Sequence, residues 1–550
     1  MSVAMQAGAL RAYAATTYDI DWILQPHGAY DDLSFDVAVD DLGGGYFAGQ
    51  TVPWLSNENK GDSFLTRFDS AGSVVWSRQM GTVASDIAYS VAVDASLNAY
   101  VTGYTEGNFA ATNAGTQDAF LRKYDSAGNV LWSRQLGTVV LDYSYAVDTD
   151  PFGDVYISGT TAGDLGRTEP GSRDAFLAKY DTLGNLLWTR QLGTRRFDES
   201  YALATDSSGN AFISGRTGGN LAGTAAGLDD VFLAKYDGAG NLAWSRQYGS
   251  ASSESADAAA VDGLGNVYIT GHTLGDLFGT PIGDYDVFLA KFDTNGTLLW
   301  NRKFGTPSAD WPHGLVADAQ GNVFVSGRTG GDLAAQSVGN DDAFVLKFDP
   351  TGENVWSYQL GSTSWDYRAA VDLDSHGNLF LTGYTGGILG EIGNRSGWDA
   401  FVVKFTPNVI IGDMNGDATV DLLDIQPFEL ALCEPAIYLL NYPALTDYKS
   451  CGDMNGDGFF DNFDIAPLEA LLFPSNPIAG VPAHVTRREM MLDITGAAVP
   501  EPSSDMMLAI GLVVLAVGSL GARPVQKARG VHKCCNHASQ SRVRRRWIGH

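Results

Sequence analysis

The sequence predicts an all-β fold of small, radially repeated sheets, and three observations predict it. A tryptophan recurs at Trp76, Trp132, Trp188, Trp244, Trp300 and Trp356, each 56 residues after the last. The intervals carry two hairpin signals, such as Asp-Ser-Ser-Gly-Asn and Asp-Thr-Leu-Gly-Asn, between short runs of β-formers. The last unit stops one strand short, while the N-terminal segment has one strand too many. Self-similarity at a fixed period sets the architecture before any local reading does.

Within a unit, Tyr201 to Thr217 is two β-rich runs around one turn, and Asp174 to Gly193 is two more around another. Both turns place glycine where a hairpin needs positive φ. Four strands per 56 residues follow. In the third, Phe176, Ala178 and Tyr180 share one face while Leu177 and Lys179 share the other, so both faces are largely apolar and both are expected to be covered. Four-stranded sheets stacked face to face around an axis make a β-propeller.

A degenerate first unit begins at Trp22, where Trp22-Ile-Leu-Gln25 matches Trp76-Ser-Arg-Gln79. The last begins at Trp356 and ends after Asp399 to Phe405, which gives seven units. Thr16 to Gln25 has no strands before it, so it is expected to supply the missing strand of the last blade and close the ring, removing the exposed edges. The pattern DAFLAKYDTLGNLLWTRQLG followed by a Val-Asp-x-x-Gly-Asn hairpin resembles the SBBP family of seven-bladed β-propeller repeats over residues 16–408. Kelch and WD40 repeats are shorter, and their signature dipeptides are out of register here.

Acidic residues number 64 and basic residues 35, for a formal charge of −29. Eight of the basic residues fall in the last 28, so the remainder is more acidic still and nucleic acid is a poor partner. The 65 glycines and 18% charged residues suit a turn-rich folded protein, expected to be monomeric. Met1 to Ala15 ends in Ala-Tyr-Ala-Ala, which looks like a leader cleavage site, although no long apolar core or basic start precedes it; an unstructured N-terminus is the alternative. The repeats contain no cysteine; Cys433 and Cys451, which flank a short insert downstream, could pair in an oxidising compartment.

After Phe405 the chemistry changes. Two loops 40 residues apart, DMNGDATVDLLD (Asp413 to Asp424) and DMNGDGFFDNFD (Asp453 to Asp464), hold side-chain oxygens at loop positions 1, 3, 5, 9 and 12, as an EF-hand-type calcium loop does. An apolar, helix-like segment follows each. The pair resembles the dockerin type I family over residues 409–475. That resemblance implies two calcium ions, held by Asp413, Asn415, Asp417, Thr419, Asp421 and Asp424, and by Asp453, Asn455, Asp457, Phe459, Asp461 and Asp464, with Thr419 and Phe459 giving backbone oxygen only. The second site is expected to be the stronger, because position 6 is Gly458 there and Ala418 in the first loop. A cohesin-like or other envelope protein is the implied partner, and a calcium-stabilised spacer is the other use.

A linker over 476–498 leads to Val499-Pro500-Glu501-Pro502, an apolar run from Met506 to about Leu520, and Arg523. The run is short for a stable spanning helix. This order resembles the PEP-CTERM sorting signal over 499–523, which implies processing by an exosortase, transient inner-membrane anchoring through 506–522, and delivery to the outer surface or extracellular matrix. A basic tail follows over 524–550.

No catalytic constellation stands out: neither a Gly-x-Ser-x-Gly elbow, a P-loop nor a His-Glu-x-x-His occurs. Three charged sets recur in every unit: acids at Asp32, Asp86, Asp142, Asp198, Glu254, Asp310 and Asp366; bases at Arg67, Lys123, Lys179, Lys235, Lys291, Lys347 and Lys404; and hairpin aspartates from Asp40 to Asp374. What every blade repeats serves folding, and acid and base are expected to pair within or between blades. Function is expected where units differ. One such position carries Tyr104, Arg216, His272, Arg328 and Tyr384, with Gln50 and Thr160, and could line a ligand face or be unconstrained loop. The sequence thus points to a non-catalytic exported scaffold that binds envelope protein or extracellular polysaccharide. A polysaccharide-degrading enzyme using the dockerin for attachment and a purely structural envelope protein are the alternatives.

Overall fold

The computed structural model describes residues 17–26, 31–52, 61–166, 172–389, 397–407 and Ala431. Two compact units are distinguished, and 17–407 is the repeat unit. Its 28 strands form seven antiparallel four-stranded sheets. Blade 3 is typical: Asp142–Thr149, Val155–Thr161, Asp174–Tyr180 and Leu186–Leu192 lie side by side in chain order, the first at the axis and the last at the rim. The other inner strands are Asp31–Val39, Asp86–Val93, Asp198–Thr205, Glu254–Val261, Asp310–Ala317 and Asp366–Leu373. The seventh blade takes its outer strand from the N-terminus: Tyr18–Leu24 pairs antiparallel with Asp399–Pro407. The all-β seven-bladed ring with a closing strand is therefore as the repeat predicts.

Both faces of each sheet are covered. In blade 4 the third strand, Asp230–Tyr236, is buried almost throughout, Val231, Leu233 and Phe232 being essentially inaccessible. Phe232 packs with Tyr156 and Leu177 of blade 3, whereas Val231 and Leu233 pack with Ile269 and Phe288 of blade 5. Alternation thus sends successive side chains to opposite neighbours.

The recurring tryptophan and arginine fasten one blade to the next. From the rim strand of blade 3, Trp188 donates its ring N–H to the Gly238 carbonyl (3.3 Å), and Arg190 donates Nε to the Gly240 carbonyl (2.6 Å), both in a hairpin of blade 4. Gly240 has φ +80, and a Cβ there would stand 2.9 Å from the Trp188 ring, so conformation and contact both select glycine. The same bonds recur fifty residues apart at Trp76, Trp132, Trp244 and Trp300.

In blades 2 to 5 the repeated base pairs within its blade, but with the hairpin aspartate. Lys123 meets Asp94 (3.3 Å), Lys179 Asp150 (3.2 Å), Lys235 Asp206 (3.3 Å) and Lys291 Asp262 (3.4 Å). The other acids lie at the far end of the inner strand and tie down loops: Asp198 accepts from Thr194 N (2.5 Å), Thr194 Oγ1 (2.8 Å) and Thr217 Oγ1. Lys235→Met should cost about 2 kcal/mol in denaturant unfolding, below the roughly 3–5 kcal/mol of a fully broken buried pair because Asp206 keeps its bonds from Ser208 and Asn210. Unchanged stability would contradict a structural role for the pair.

Candidate functional site

Each inner strand is interrupted by a β-bulge near its start. The register slips between Ser34 and Asp36, Ala88 and Ser90, Ser144 and Ala146, Ser200 and Ala202, Ala256 and Ala258, and Pro312 and Gly314. In blade 7 two residues are skipped, between Tyr367 and Ala370. A bulge re-aims the extra side chain. The extra residues are Phe35, Tyr89, Tyr145, Tyr201, Asp257 and His313, with Arg368 in blade 7, and all seven line one axial cavity of about 1120 Å³.

These seven residues make a two-sided mouth. Phe35, Tyr89, Tyr145 and Tyr201 form an arc of rings with centroids 5.9, 5.2 and 5.2 Å apart. Asp257, His313 and Arg368 complete the circle, with the Arg368 guanidinium 4.7 Å above the Phe35 ring. Burial, with Arg368 and Arg328 nearby, drives the His313 imidazole well below its ordinary pKa, so it is neutral.

The five residues singled out from the second hairpin lie at this same end, each half-buried beside an inner strand. Arg216 and His272 line the cavity; Tyr104, Arg328 and Tyr384 sit behind it as a rim. Arg216 donates Nε to Glu199 (2.8 Å), which also accepts from the Tyr201 hydroxyl (2.5 Å) and from Arg173 (3.0 Å). Burial raises the Glu199 pKa, but these donors outweigh it and hold the carboxyl below its usual range. His272 Nδ1 is 2.6 Å from Asp257, and its ring lies 4.3 Å from Trp311. Arg328 is paired with Asp341 and lies over Tyr367, 4.7 Å from the ring centre. Tyr104 packs on Tyr143 at 4.7 Å, and Tyr384 on Trp398 at 5.4 Å. The structure brings all five together around one opening. Sequence reasoning passed over the bulge ring itself; its signal was a varying residue thirteen after the tryptophan in six of seven units.

Deeper in the channel, Asp36, Asp148 and Asp372 bind neighbouring blades. Asp36 accepts from Ser90 Oγ (2.7 Å) and Val91 N (3.0 Å), Asp148 from Thr205 N (2.7 Å) and Oγ1 (3.0 Å), and Asp372 from Val39 N (2.8 Å). Among the described residues no group of three or more His, Cys, Asp or Glu is arranged to hold a metal, and no helix is long and apolar enough to cross a membrane. The two calcium loops, Cys433 and Cys451, and the signal around Val499 to Arg523 lie outside the described residues.

Ring, closing strand and lined axis define a seven-bladed β-propeller repeat protein. Residues 75–110, 131–166, 187–222, 243–279 and 299–334 match the family model of SBBP, the beta-propeller repeat. The chain is 27% identical over 368 residues to the regulatory protein FlaEY of Caulobacter vibrioides, covering 56% of this chain and 38% of that protein. It is 20% identical over 453 residues to an uncharacterized WD repeat-containing protein of Acanthamoeba polyphaga mimivirus, covering 60% and 32%. The chain therefore spans about a third of the length of these curated relatives. Among solved structures, Sqt1 from Chaetomium thermophilum is similar at 11% identity and TM-score 0.40, over 69% of this chain and 87% of that one. YCF48 bound to D1 peptide is similar at 11% identity and TM-score 0.39, over 73% and 100%.

Proposed function

We propose that the propeller is a non-catalytic binding scaffold whose ligand enters the mouth formed by the seven bulge residues. The observation that carries this is their convergence: a position of the inner strand that varies between units is turned by a bulge into the axial cavity in six blades, and in the seventh the wider bulge delivers Arg368 there instead. Binding is favoured over chemistry because the acids at the mouth are committed, Glu199 to Arg216 and Tyr201, Asp257 to His272, and Asp341 to Arg328. A regulatory name on the Caulobacter relative suits such a role. The calcium-dependent, dockerin-like module over 409–475 and the sorting signal over 499–523 extend the proposal to an exported protein, processed by an exosortase and attached at the envelope or matrix through a second partner.

Arrays of glycans and peptides probed with the full chain test this. Signal should fall at least about tenfold in a Tyr89→Ala, Tyr201→Ala double variant whose melting is close to that of the parent. Chelating calcium should leave propeller ligands bound and release whatever residues 409–475 hold. Array signal that survives the double variant would refute the mouth as the ligand site.

A further inference from the structure

Arg368 is the exception in the ring. Six blades present the residue thirteen after their tryptophan, but in blade 7 that residue, Ala369, is fully buried and Arg368 faces the cavity instead. The exchange goes with a wider bulge and with left-handed backbone at Arg368, φ +51, one of three non-glycine residues with positive φ among those described. Such a conformation costs of order 1 kcal/mol or more and persists where the surroundings impose it.

The guanidinium delivered this way has no carboxylate partner among the described residues. The neighbouring cations of the mouth do: Arg173 and Arg216 share Glu199, and Arg328 holds Asp341. No described acid lies within ion-pair distance of Arg368, whose close neighbour is the face of Phe35 at 4.7 Å. Beside it, the Nε2 atom of His313 is buried without a hydrogen-bond partner. A half-buried guanidinium with free donors, next to a free imidazole nitrogen, calls for a planar anion that accepts two parallel bonds. From Phe35, beneath the guanidinium, the arc continues round the cavity through Tyr89, Tyr145 and Tyr201, a curved apolar wall suited to a flat ring. Below, Asp36, Asp148 and Asp372 make the channel unfavourable to any further negative charge, as does the overall charge of −29. The acidic channel disfavours an extended polyanion, while the guanidinium favours one carboxylate at the mouth.

We propose that the mouth takes a ligand carrying a single carboxylate beside a flat ring, the carboxylate on Arg368 and the ring on the Phe35–Tyr201 arc. This rests on the mouth being the ligand site and adds its chemical class. Either an aromatic acid or a uronate sugar presents that chemistry, and the test separates the two.

The full chain is titrated calorimetrically with N-acetyl-tyrosine and its amide, and with glucuronate and glucose, to about 10 mM, where contacts of this size become measurable. In at least one pair the acid should bind about tenfold tighter than its neutral partner, and the pair that responds identifies the ring. Arg368→Gln should bring the acid down to the neutral compound's affinity while leaving that affinity unchanged, and Tyr145→Ala should weaken both members. Equal affinities within each pair, or acid preference that survives Arg368→Gln, would overturn the carboxylate assignment. If the neutral compounds still bind and lose affinity in Tyr145→Ala, the mouth stands and only the carboxylate falls. Absence of binding by all four overturns the proposal, and the arrays then judge the mouth independently.

Discussion

Deletion of residues 1–26 should destroy the cooperative melt of the propeller and drive the chain into oligomers. The strand Tyr18–Leu24 contributes the whole outer edge of blade 7. Tyr18 is 7% exposed and wedged against Phe324 and Trp356 of blade 6, at 5.5 and 5.0 Å. Trp22 lies against Phe68 and Phe380 and donates its ring N–H to the Ser70 carbonyl of blade 1 (3.1 Å), performing for the last blade what Trp188 performs for the third. Here Lys404 pairs with Asp21 at 3.1 Å instead of with the hairpin aspartate. Losing two packed aromatics costs about 3–5 kcal/mol each, before counting the strand's hydrogen bonds, against a typical total stability of about 5–15 kcal/mol. The uncovered edge of Asp399–Pro407 would then be free to pair with another chain. Size-exclusion chromatography with light scattering and a circular dichroism melt would report it. A monomer with the parent's melting point would show that the ring does not depend on closure.

The second large effect is on pH: the urea midpoint should rise as pH is lowered from 8 to about 5. Asp36 and Asp148 are pushed up to about 6 and Asp372 to about 7, in each case because burial outweighs the N–H groups that hold the charged form. Burial, assisted by Asp399, also pushes Asp32 to about 6. A carboxyl with a raised folded pKa binds protons in the folded state that the unfolded chain, titrating near 3.8, has already released. Its penalty is therefore full above pH 7 and is relieved as pH falls through 7 to 4. His313 runs the other way: its depressed pKa makes acidification below about 6.5 unfavourable. Four acids oppose one histidine, so the acids prevail, by a few kcal/mol after allowance for water in the channel. A midpoint that is flat or falls on going from pH 8 to 5 would contradict this.

The ring was readable because the recurring letters have mechanical tasks repeated from blade to blade. Tryptophan and arginine grip the following hairpin, and the turn glycine makes room for them. Seven units and N-terminal closure follow from arithmetic on those positions. The partner of the repeated lysine was less readable. Lys179 stands opposite Trp188, at the end of its strand where Asp150 lies, whereas Asp142 is a full inner strand away. Choosing between two acids in every unit required the register. The bulge ring was hidden for a related reason: one inserted residue changes which face later side chains occupy, and no glycine or proline common to all seven units marks the place. Attention therefore fell on Tyr104, Arg216, His272, Arg328 and Tyr384, which form the rim and support of the opening.

The hairpins gripped by tryptophan and arginine lie at the opposite end of the blades from the bulge residues, since they join the third and fourth strands where the inner strand ends. Maintenance and specialisation are thus assigned to opposite poles of one molecule. A unit can be copied with its grip intact and its mouth residue free to diverge, so seven near-identical segments can lead to seven different contributions around one opening. The same separation makes the mouth a natural subject for transplantation: exchanging Tyr145, Tyr201, Asp257 or His313 changes what the axis presents and leaves in place the tryptophan and arginine bonds to the next hairpin.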